Sequence, residues 1–537
     1  PTQAVWGAPT LATPRGDDAP LVVVFLVDSL RADHTTPYGY ERDTTPELME
    51  FTRDGVVYDA AIASAGWTKP SVASIFTSQV PSRHGVMQIA DRLGEDHVTL
   101  AEMLKARGYS TGALIGNAAV HSQGSGYEQG FDVFTGVPGP HGRRSTVVDA
   151  ADVVDAALGF IDARRGLPTF VYVHTMDPHI PYIPPEPFDR MFDPPPVPGR
   201  SAADPRKDNE TPEDLARVIA QYDGTIAYGD REFGRFLDEL RARGLYDRAF
   251  IAFVADHGEE FLDHGRWTHA KSVFDELVRV PLVVKHPGQE DAGKRVSTQV
   301  QLVDLLPTIL ENEGLPVPTA PAIAGRPLGA SGDPDAGQRL AILQSGHRGY
   351  TAYGVRTGDE KYVRRLSPED EELYFRLADD PGEKESRLEE AGERVRVLRE
   401  EMESAMTANP FDFVLRLEGE HRYELTLRTG GWIERLEVEG LGPEETAEVE
   451  DDGHRLSLRV RPRPGAPRQV AFGLVPRGAP VWLDGTRDGR SLPTSAVRMS
   501  GAGVSPEALP ARLPDVERPD LGTEAERSLR DVFAPPP

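Results

Sequence analysis

The chain predicts an α/β fold with a mostly parallel central sheet, and three observations carry that prediction. Two apolar runs of strand length, Leu21–Val27 and Phe250–Ala255, are hydrophobic without interruption, as strands buried on both faces are. Helix-like stretches alternate with such runs along the chain, the pattern of a doubly wound sheet. Each run also ends directly on polar residues: Asp28 after the first, Asp256-His257-Gly258-Glu259 after the second. Open α/β sheets bind ligands beyond the carboxyl ends of their strands.

The elements follow in order. Residues 1–19 read as a flexible leader, and the opening Pro1-Thr2-Gln3 suits an exported or lipid-anchored protein whose signal has been removed. After the first strand, Thr45–Arg53 reads as a helix. So does Thr99–Arg107, which stops at Gly108 as a C-terminal cap requires. Val147–Arg165 is a further helix, and Thr169–His174 a strand. The Pro-rich stretch 184–212 is a long loop placed to form a substrate rim. A long amphipathic helix over Pro212–Arg243 then delivers the chain to the strand before Asp256. A strand follows Pro281, then a helix over Val303–Leu310 and a Pro/Ala/Gly-rich insert to about residue 337. Residues 20–345 form the expected catalytic unit. Residues 346–409 form a small antiparallel subdomain with hairpins between Tyr350 and Leu377.

From about residue 410 the pattern changes. Arg422–Arg428, Trp432–Val438, Arg455–Arg461, Gln469–Leu474 and Pro480–Asp484 alternate apolar and polar residues with a period of two. Short turn segments separate them, which predicts an antiparallel β-sandwich over 410–499. Nothing in it looks catalytic. It reads as an accessory domain that packs on the enzyme or contacts a partner or carbohydrate. Residues 500–537 form a Pro-rich acidic tail, with a short helix over Thr523–Val532.

Bulk numbers narrow the function. With 537 residues the chain exceeds one core and divides into several units. Its formal net charge of −27, from 86 acids against 59 bases, excludes nucleic acid as a partner, because that binding is driven by phosphate neutralisation. An anionic substrate must therefore be attracted locally, by a cation in the site. No apolar run reaches the ~18 residues that span a bilayer. There is no cysteine, so disulfides are excluded.

The most informative stretch is Gly66-Trp67-Thr68-Lys69-Pro70-Ser71-Val72-Ala73-Ser74-Ile75-Phe76. It places the hydroxyl of Thr68 at the start of a helix, where free backbone N–H groups and the dipole favour an anion, although a Thr there also serves as a plain N-cap. Together, Asp28, Thr68, Asp256 and His257 offer carboxylates, a hydroxyl and an imidazole. That set suits a divalent metal with a nucleophile among its ligands.

These motifs, with Pro81-Ser82-Arg83-His84-Gly85-Val86, Gly130-Phe131-Asp132, His174-Thr175-Met176-Asp177-Pro178-His179, Tyr222-Asp223-Gly224-Thr225 and Arg279-Val280-Pro281, resemble the sulfatases of the alkaline phosphatase superfamily. The resemblance runs from about residue 20 to about residue 390. It implies the three-layer alkaline-phosphatase-like fold, a metal-dependent hydrolase and an anionic ester substrate. It also implies an extracytoplasmic location, periplasmic, secreted or lipid-anchored.

The departures are informative too. Formylglycine-type sulfatases have Cys or Ser where this chain has Thr68, and Arg where it has Val72. Their sulfate-holding Lys and His fall here on Asn117 and Ala119. Ser29 replaces a second Asp of the calcium-type members, and His257 replaces an Asn. Imidazole and fewer carboxylates favour zinc or manganese, with calcium as the remaining option. Superfamily members with Thr at this position resemble phosphodiesterases, phosphonate-cleaving enzymes and headgroup phosphotransferases. By that resemblance Asn117 donates to a phosphoryl oxygen. His179 and His269 hold a second metal or the transferred phosphate.

Lys69 adjoins the nucleophile in a chain where only eight of the 59 basic residues are lysine. It either holds a substrate oxygen or lies on the first helical turn facing solvent. His174 and His264 are expected to support the site from behind, and Arg31 to bridge loops at its rim. The expected activity is hydrolysis or transfer of phosphate esters, diesters foremost, with Thr68 as nucleophile. A sulfatase working without formylglycine and a non-catalytic binding scaffold are the alternatives.

Overall fold

The structure is a computed structural model. It describes residues 16–500, apart from 96, 123, 138–147, 193–211, 319–322, 330–338, 348, 368–369, 408–412, 418–421, 430–431, 439–444, 450–454, 462–467, 476–480 and 492–496. The leader before residue 16, the tail after 500 with its expected helix, and most of the 184–212 loop lie outside the described residues.

The chain divides into two units, 1–410 and 411–537. The first is built on an eight-stranded sheet in the order Arg295–Val296, Val56–Tyr58, Leu282–Lys285, Ala249–Ala255, Leu21–Val27, Thr169–Thr175, Ser110–Ile115, Val133–Gly136. Leu21–Val27 runs parallel to both neighbours, in register with Val27 opposite Ala255 on one side and Thr175 on the other. All seven of its residues are buried, as its unbroken apolar run predicts. Only Leu282–Lys285 runs antiparallel, against Ala249–Ala255 and Val56–Tyr58.

Helices cover both faces. On one, Phe25 packs against Phe233 and Phe236 of the helix Pro212–Ala242, with ring centroids 4.9 and 5.5 Å apart. On the other, Tyr172 meets Phe76 of the helix Thr68–Thr77 at 4.9 Å. Every residue of Thr68–Thr77 is buried, so it lies against the sheet with no solvent face.

Local chemistry sets the helix ends. Leu100–Lys105 begins with a capping box between Thr99 and Glu102 and is followed by Gly108 at φ +85°. The helix expected over 147–165 is Ala150–Asp162, because the Asp149 side chain caps it by accepting the Ala151 N–H. The helix expected over 303–310 splits into a 3-10 turn, Leu302–Asp304, and an α-helix, Leu305–Asn312.

A four-stranded antiparallel sheet follows, made of Ala341–His347, Tyr350–Arg356, Glu360–Ser367 and Glu371–Arg376. Its first strand starts ahead of the boundary drawn at 345/346, which falls inside that strand. The helix Gly392–Thr407 packs on this sheet. The second unit holds two antiparallel sheets of four and five strands between Phe413 and Ser500. Three of their strands, Phe413–Leu417, Thr446–Val449 and Val497–Ser500, lie outside the alternating segments read from the sequence; the last two alternate, but over only four residues each.

Candidate active site

Strand register assembles the site. Side chains alternate faces along a strand, so Val24, Leu26 and Asp28 face the side opposite to Phe25. The in-register pairing carries this parity across the sheet: Leu26 is opposite His174, and Asp28 follows Val27 as Asp256 follows Ala255. Asp28, His174 and Asp256 thus emerge on one face, the one covered by the helix Thr68–Thr77. Their ligand atoms lie within 4.8 Å of one another, and all three residues are buried.

His257 is the hub of the cluster. Its Nδ1 donates to the Gly258 carbonyl at 2.8 Å, which leaves the lone pair on Nε2. That Nε2 lies 3.2 Å from Thr68 Oγ1 and 3.5 Å from both Asp28 Oδ1 and Asp256 Oδ2. Separations of about 3.4 Å are the ligand–ligand edges of a four-coordinate shell with bonds near 2.1 Å. Burial, followed by the neighbouring His269, lowers the His257 pKa to about 3, so the ring is neutral.

The two carboxylates differ in their surroundings. Asp28 accepts from Ser29 Oγ at 3.0 Å, Asn117 Nδ2 at 2.6 Å and His174 Nε2 at 3.1 Å. Burial opposes its charge, but the imidazoles of His179, His174 and His257 hold its carboxyl well below the usual range. Asp256 Oδ1 accepts the N–H groups of Ser29 and His257. Its Oδ2 is buried and has no hydrogen-bond partner. Burial, then the adjacent Asp28, pushes Asp256 well up. Two carboxylates buried together with one oxygen unsatisfied fit a divalent cation, which would stabilise both negative charges.

Two further histidines adjoin this centre. The His269 ring lies 4.5 Å from that of His257 and 5.1 Å from that of His179. His179 Nδ1 donates to the Ile180 carbonyl at 2.7 Å, and His269 Nδ1 donates to Glu259 Oε1 at 2.9 Å. Each ring is therefore pinned through Nδ1, with Nε2 as its remaining nitrogen. Burial opposes charge on His269, but Glu259 raises its pKa overall; for His179 burial prevails and lowers it. Glu259 is fully buried, and its other oxygen accepts from Tyr182 Oη at 2.7 Å. Thr268 and Ala270 on either side of His269 have φ of +68° and +72°, a strained backbone for a β-branched Thr.

The structure corrects one expectation and shows how a second residue is held. The Lys69 ammonium donates to the carbonyls of Ile89 and Asp91, so it ties down the 89–91 loop and is not a free substrate cation. Lys69 is 3% exposed, which also rules out a solvent-facing position. Asn117 does reach the site, but both ends of its amide are engaged. Its Oδ1 caps the helix Ala118–His121 by accepting the Ala119 N–H, and its Nδ2 donates to Asp28. That donation holds Asp28 in place and uses one of the two Nδ2 hydrogens.

The remaining residues fall behind or beside the centre. Tyr172 Oη lies 3.0 Å from His174 Nδ1, so His174 donates through Nε2 to Asp28. His264 is turned away toward Glu276 and the Glu383 carbonyl. Arg31 ties Asp33, Asp263 and the Glu259 carbonyl together at the rim. Sequence reasoning missed Glu259 as the residue that orients His269. The only available signal was its place beside His257, and which of two adjacent glutamates turns inward depends on the fold.

Comparison with known proteins agrees with this geometry. The family model for sulfatases matches residues 20–314. An ulvan-active sulfatase from Formosa agariphila is 23% identical over 394 residues, covering 67% of this chain and 76% of that protein. A solved protein in complex with its substrate D-glucosamine-2-N,6-O-disulfate superposes with a TM-score of 0.61 at 19% identity, covering 73% of this chain and 99% of that one. The phosphonate monoester hydrolase of Agrobacterium radiobacter gives a TM-score of 0.60 at 20% identity, covering 83% and 100%. With more than half its length matched, and with the parallel sheet that carries the site inside that match, the chain belongs to the sulfatase family of hydrolases in the alkaline phosphatase superfamily.

Proposed function

We propose that this sulfatase-family hydrolase cleaves or transfers phosphate esters, diesters foremost, with Thr68 as the nucleophile. The observation that carries the reading is the 3.2 Å contact of Thr68 Oγ1 with His257 Nε2, beside two buried carboxylates. Because His257 Nδ1 donates to Gly258, its Nε2 presents one lone pair, which accepts the threonine hydroxyl in the metal-free site and would turn to the ion when one is bound. A divalent metal held by Asp28, Thr68, Asp256 and His257 would supply charge to favour the alkoxide and polarise the ester. A second ion at His179 and His269 would use the two free Nε2 atoms.

The chemistry follows from the residue at position 68. Formylglycine sheds sulfate by collapse of its aldehyde hydrate, and threonine cannot form that hydrate. A threonine oxygen can instead form a bond to phosphorus as the P–O bond to the leaving group breaks. Water or an alcohol then displaces Thr68 in a second step. Asn117, His174 and Ser29 keep Asp28 oriented throughout. Glu259 fixes the His269 ring and raises its pKa, so that without a second ion its Nε2 proton would be available to the leaving oxygen, and a second ion would displace that proton.

A second reading, direct cleavage of sulfate esters by Thr68, is favoured by the curated relatives that are named sulfatases. A panel of aryl phosphate, bis-aryl phosphate, phosphonate and sulfate esters, run with zinc, manganese and calcium, separates the two. Rapid acid quench followed by mass spectrometry should find phosphate on Thr68. Full turnover by Thr68→Ala on every ester would refute both readings. An extracytoplasmic location is part of the proposal and is tested by cell fractionation.

A further inference from the structure

The opposite end of the sheet carries a recess that the chemistry at Thr68 does not use. It opens where the strands Leu21–Val27 and Thr169–Thr175 begin, about 20 Å from their carboxyl ends by strand rise. It is shallow and open to solvent, with an enclosed volume of only about 20 Å³. Arg164, Arg165, Arg243 and Arg248 line it, and Asp162 is its one acidic lining residue. In a chain of net charge −27, four guanidiniums around one recess oppose the overall field.

The four arginines are not equally engaged. Arg243 is neutralised by Asp162, through bonds of 2.9 Å from Nε and Nη2, and by Glu239. Arg164 lies over the Phe160 ring at 4.4 Å, with Nε 3.4 Å from Ser110 Oγ. That fixes the plane of its guanidinium without cancelling its charge. Arg165 is exposed at the rim. Arg248 Nε is buried and has no hydrogen-bond partner. A buried guanidinium N–H without an acceptor is costly, and a charge-assisted bond to an oxyanion would satisfy it.

We propose that this recess binds a single sulfate or phosphate group, held by Arg248 and Arg164 with Arg165 closing from the rim. Planar guanidinium forks match the tetrahedral oxygens of such a group better than lysine does, and all the cations here are arginine. The site is separate from the one at Thr68. It takes either a free oxyanion or the charged group of a sulfated or phosphorylated sugar.

The test is isothermal titration of the full chain with inorganic sulfate, inorganic phosphate, glucose 6-sulfate and glucose 6-phosphate. Wild type should bind two ions per chain, one at each site. Arg248→Ala should lose one of them, with affinity there about tenfold weaker or worse. Turnover and product inhibition at the Thr68 site should be unchanged. Arg165→Ala, at an exposed position that does not threaten folding, should weaken the same ion to a smaller extent. Tighter binding of the sugar esters than of the inorganic ions would identify a sugar-borne group; equal binding would identify the free oxyanion. One ion per chain in both wild type and Arg248→Ala would overturn the proposal. So would binding lost in Arg248→Ala only in step with turnover.

Discussion

Replacing Asn117 with alanine tests how much of this site is held by hydrogen bonds within the protein. The side chain makes two bonds, a 2.6 Å donation to the buried Asp28 carboxylate and a cap on the Ala119 N–H. A hydrogen bond to a charged group contributes about 1.5–3 kcal/mol, and a lost N-cap costs about 1 kcal/mol. Asn117 and Asp28 are 5% and 0% exposed, so water cannot readily replace the amide. Asn117→Ala should therefore destabilise the first unit by about 3 kcal/mol. It should also weaken metal binding about 10–100-fold, the usual effect of losing a residue that orients a ligand. Asn117→Asp keeps the cap oxygen but sets a second carboxylate against Asp28 Oδ2, so in chelator it should be less stable than Asn117→Ala. Urea unfolding followed by tryptophan fluorescence, with and without chelator, reads the first effect, and metal titration the second. A loss under about 0.5 kcal/mol, the range of ordinary surface substitutions, would show that Asp28 does not depend on Asn117.

Other outcomes follow from the same geometry. Lys69→Met should cost about 2 kcal/mol or more of stability, by leaving carbonyls of the 89–91 loop unpaired, while kcat/KM stays within a few-fold. A fall of about 100-fold in kcat/KM at unchanged stability would restore Lys69 as a substrate cation. Glu259→Gln should slow turnover about 10–100-fold and move the pH profile, because it removes the charge that steadies His269; an unmoved profile would dismiss the pairing. Lys285 is lowered to about 8 by burial, which Asp247 and Asp54 only partly offset. Between pH 8 and the ordinary lysine value the unfolded chain then holds more protons than the folded one. Stability should accordingly rise with pH across that window, and Lys285→Met should flatten the rise in denaturation curves taken from pH 7 to 9.5.

Much of the catalytic unit was legible in the sequence, because continuous apolar runs have few other places to go. Leu21–Val27 and Phe250–Ala255 read as buried strands, and both lie in strands buried along their whole length. Short elements such as Val56–Tyr58 and Arg295–Val296 carried no pattern, since two or three residues cannot display a period. Among the sheets of the second unit, the seven alternating residues of Tyr423–Thr429 were readable, whereas Thr446–Val449 alternates over only four residues, too few to stand out.

What the sequence determined by itself was which chemistry is available. It supplied two carboxylates at strand ends, a threonine at a helix start, histidines nearby and no cysteine for an aldehyde. The tertiary structure decided which of these groups meet. Strand register placed Asp28 beside Asp256 and brought His174 behind them, a consequence of pairing between strands more than 140 residues apart. Packing also settled Lys69, whose residue type fits substrate binding equally well. The carbonyls of Ile89 and Asp91 engage its ammonium. A hydrogen bond satisfied inside the protein is a donor withdrawn from substrate, and no one-dimensional pattern records which donors are already taken.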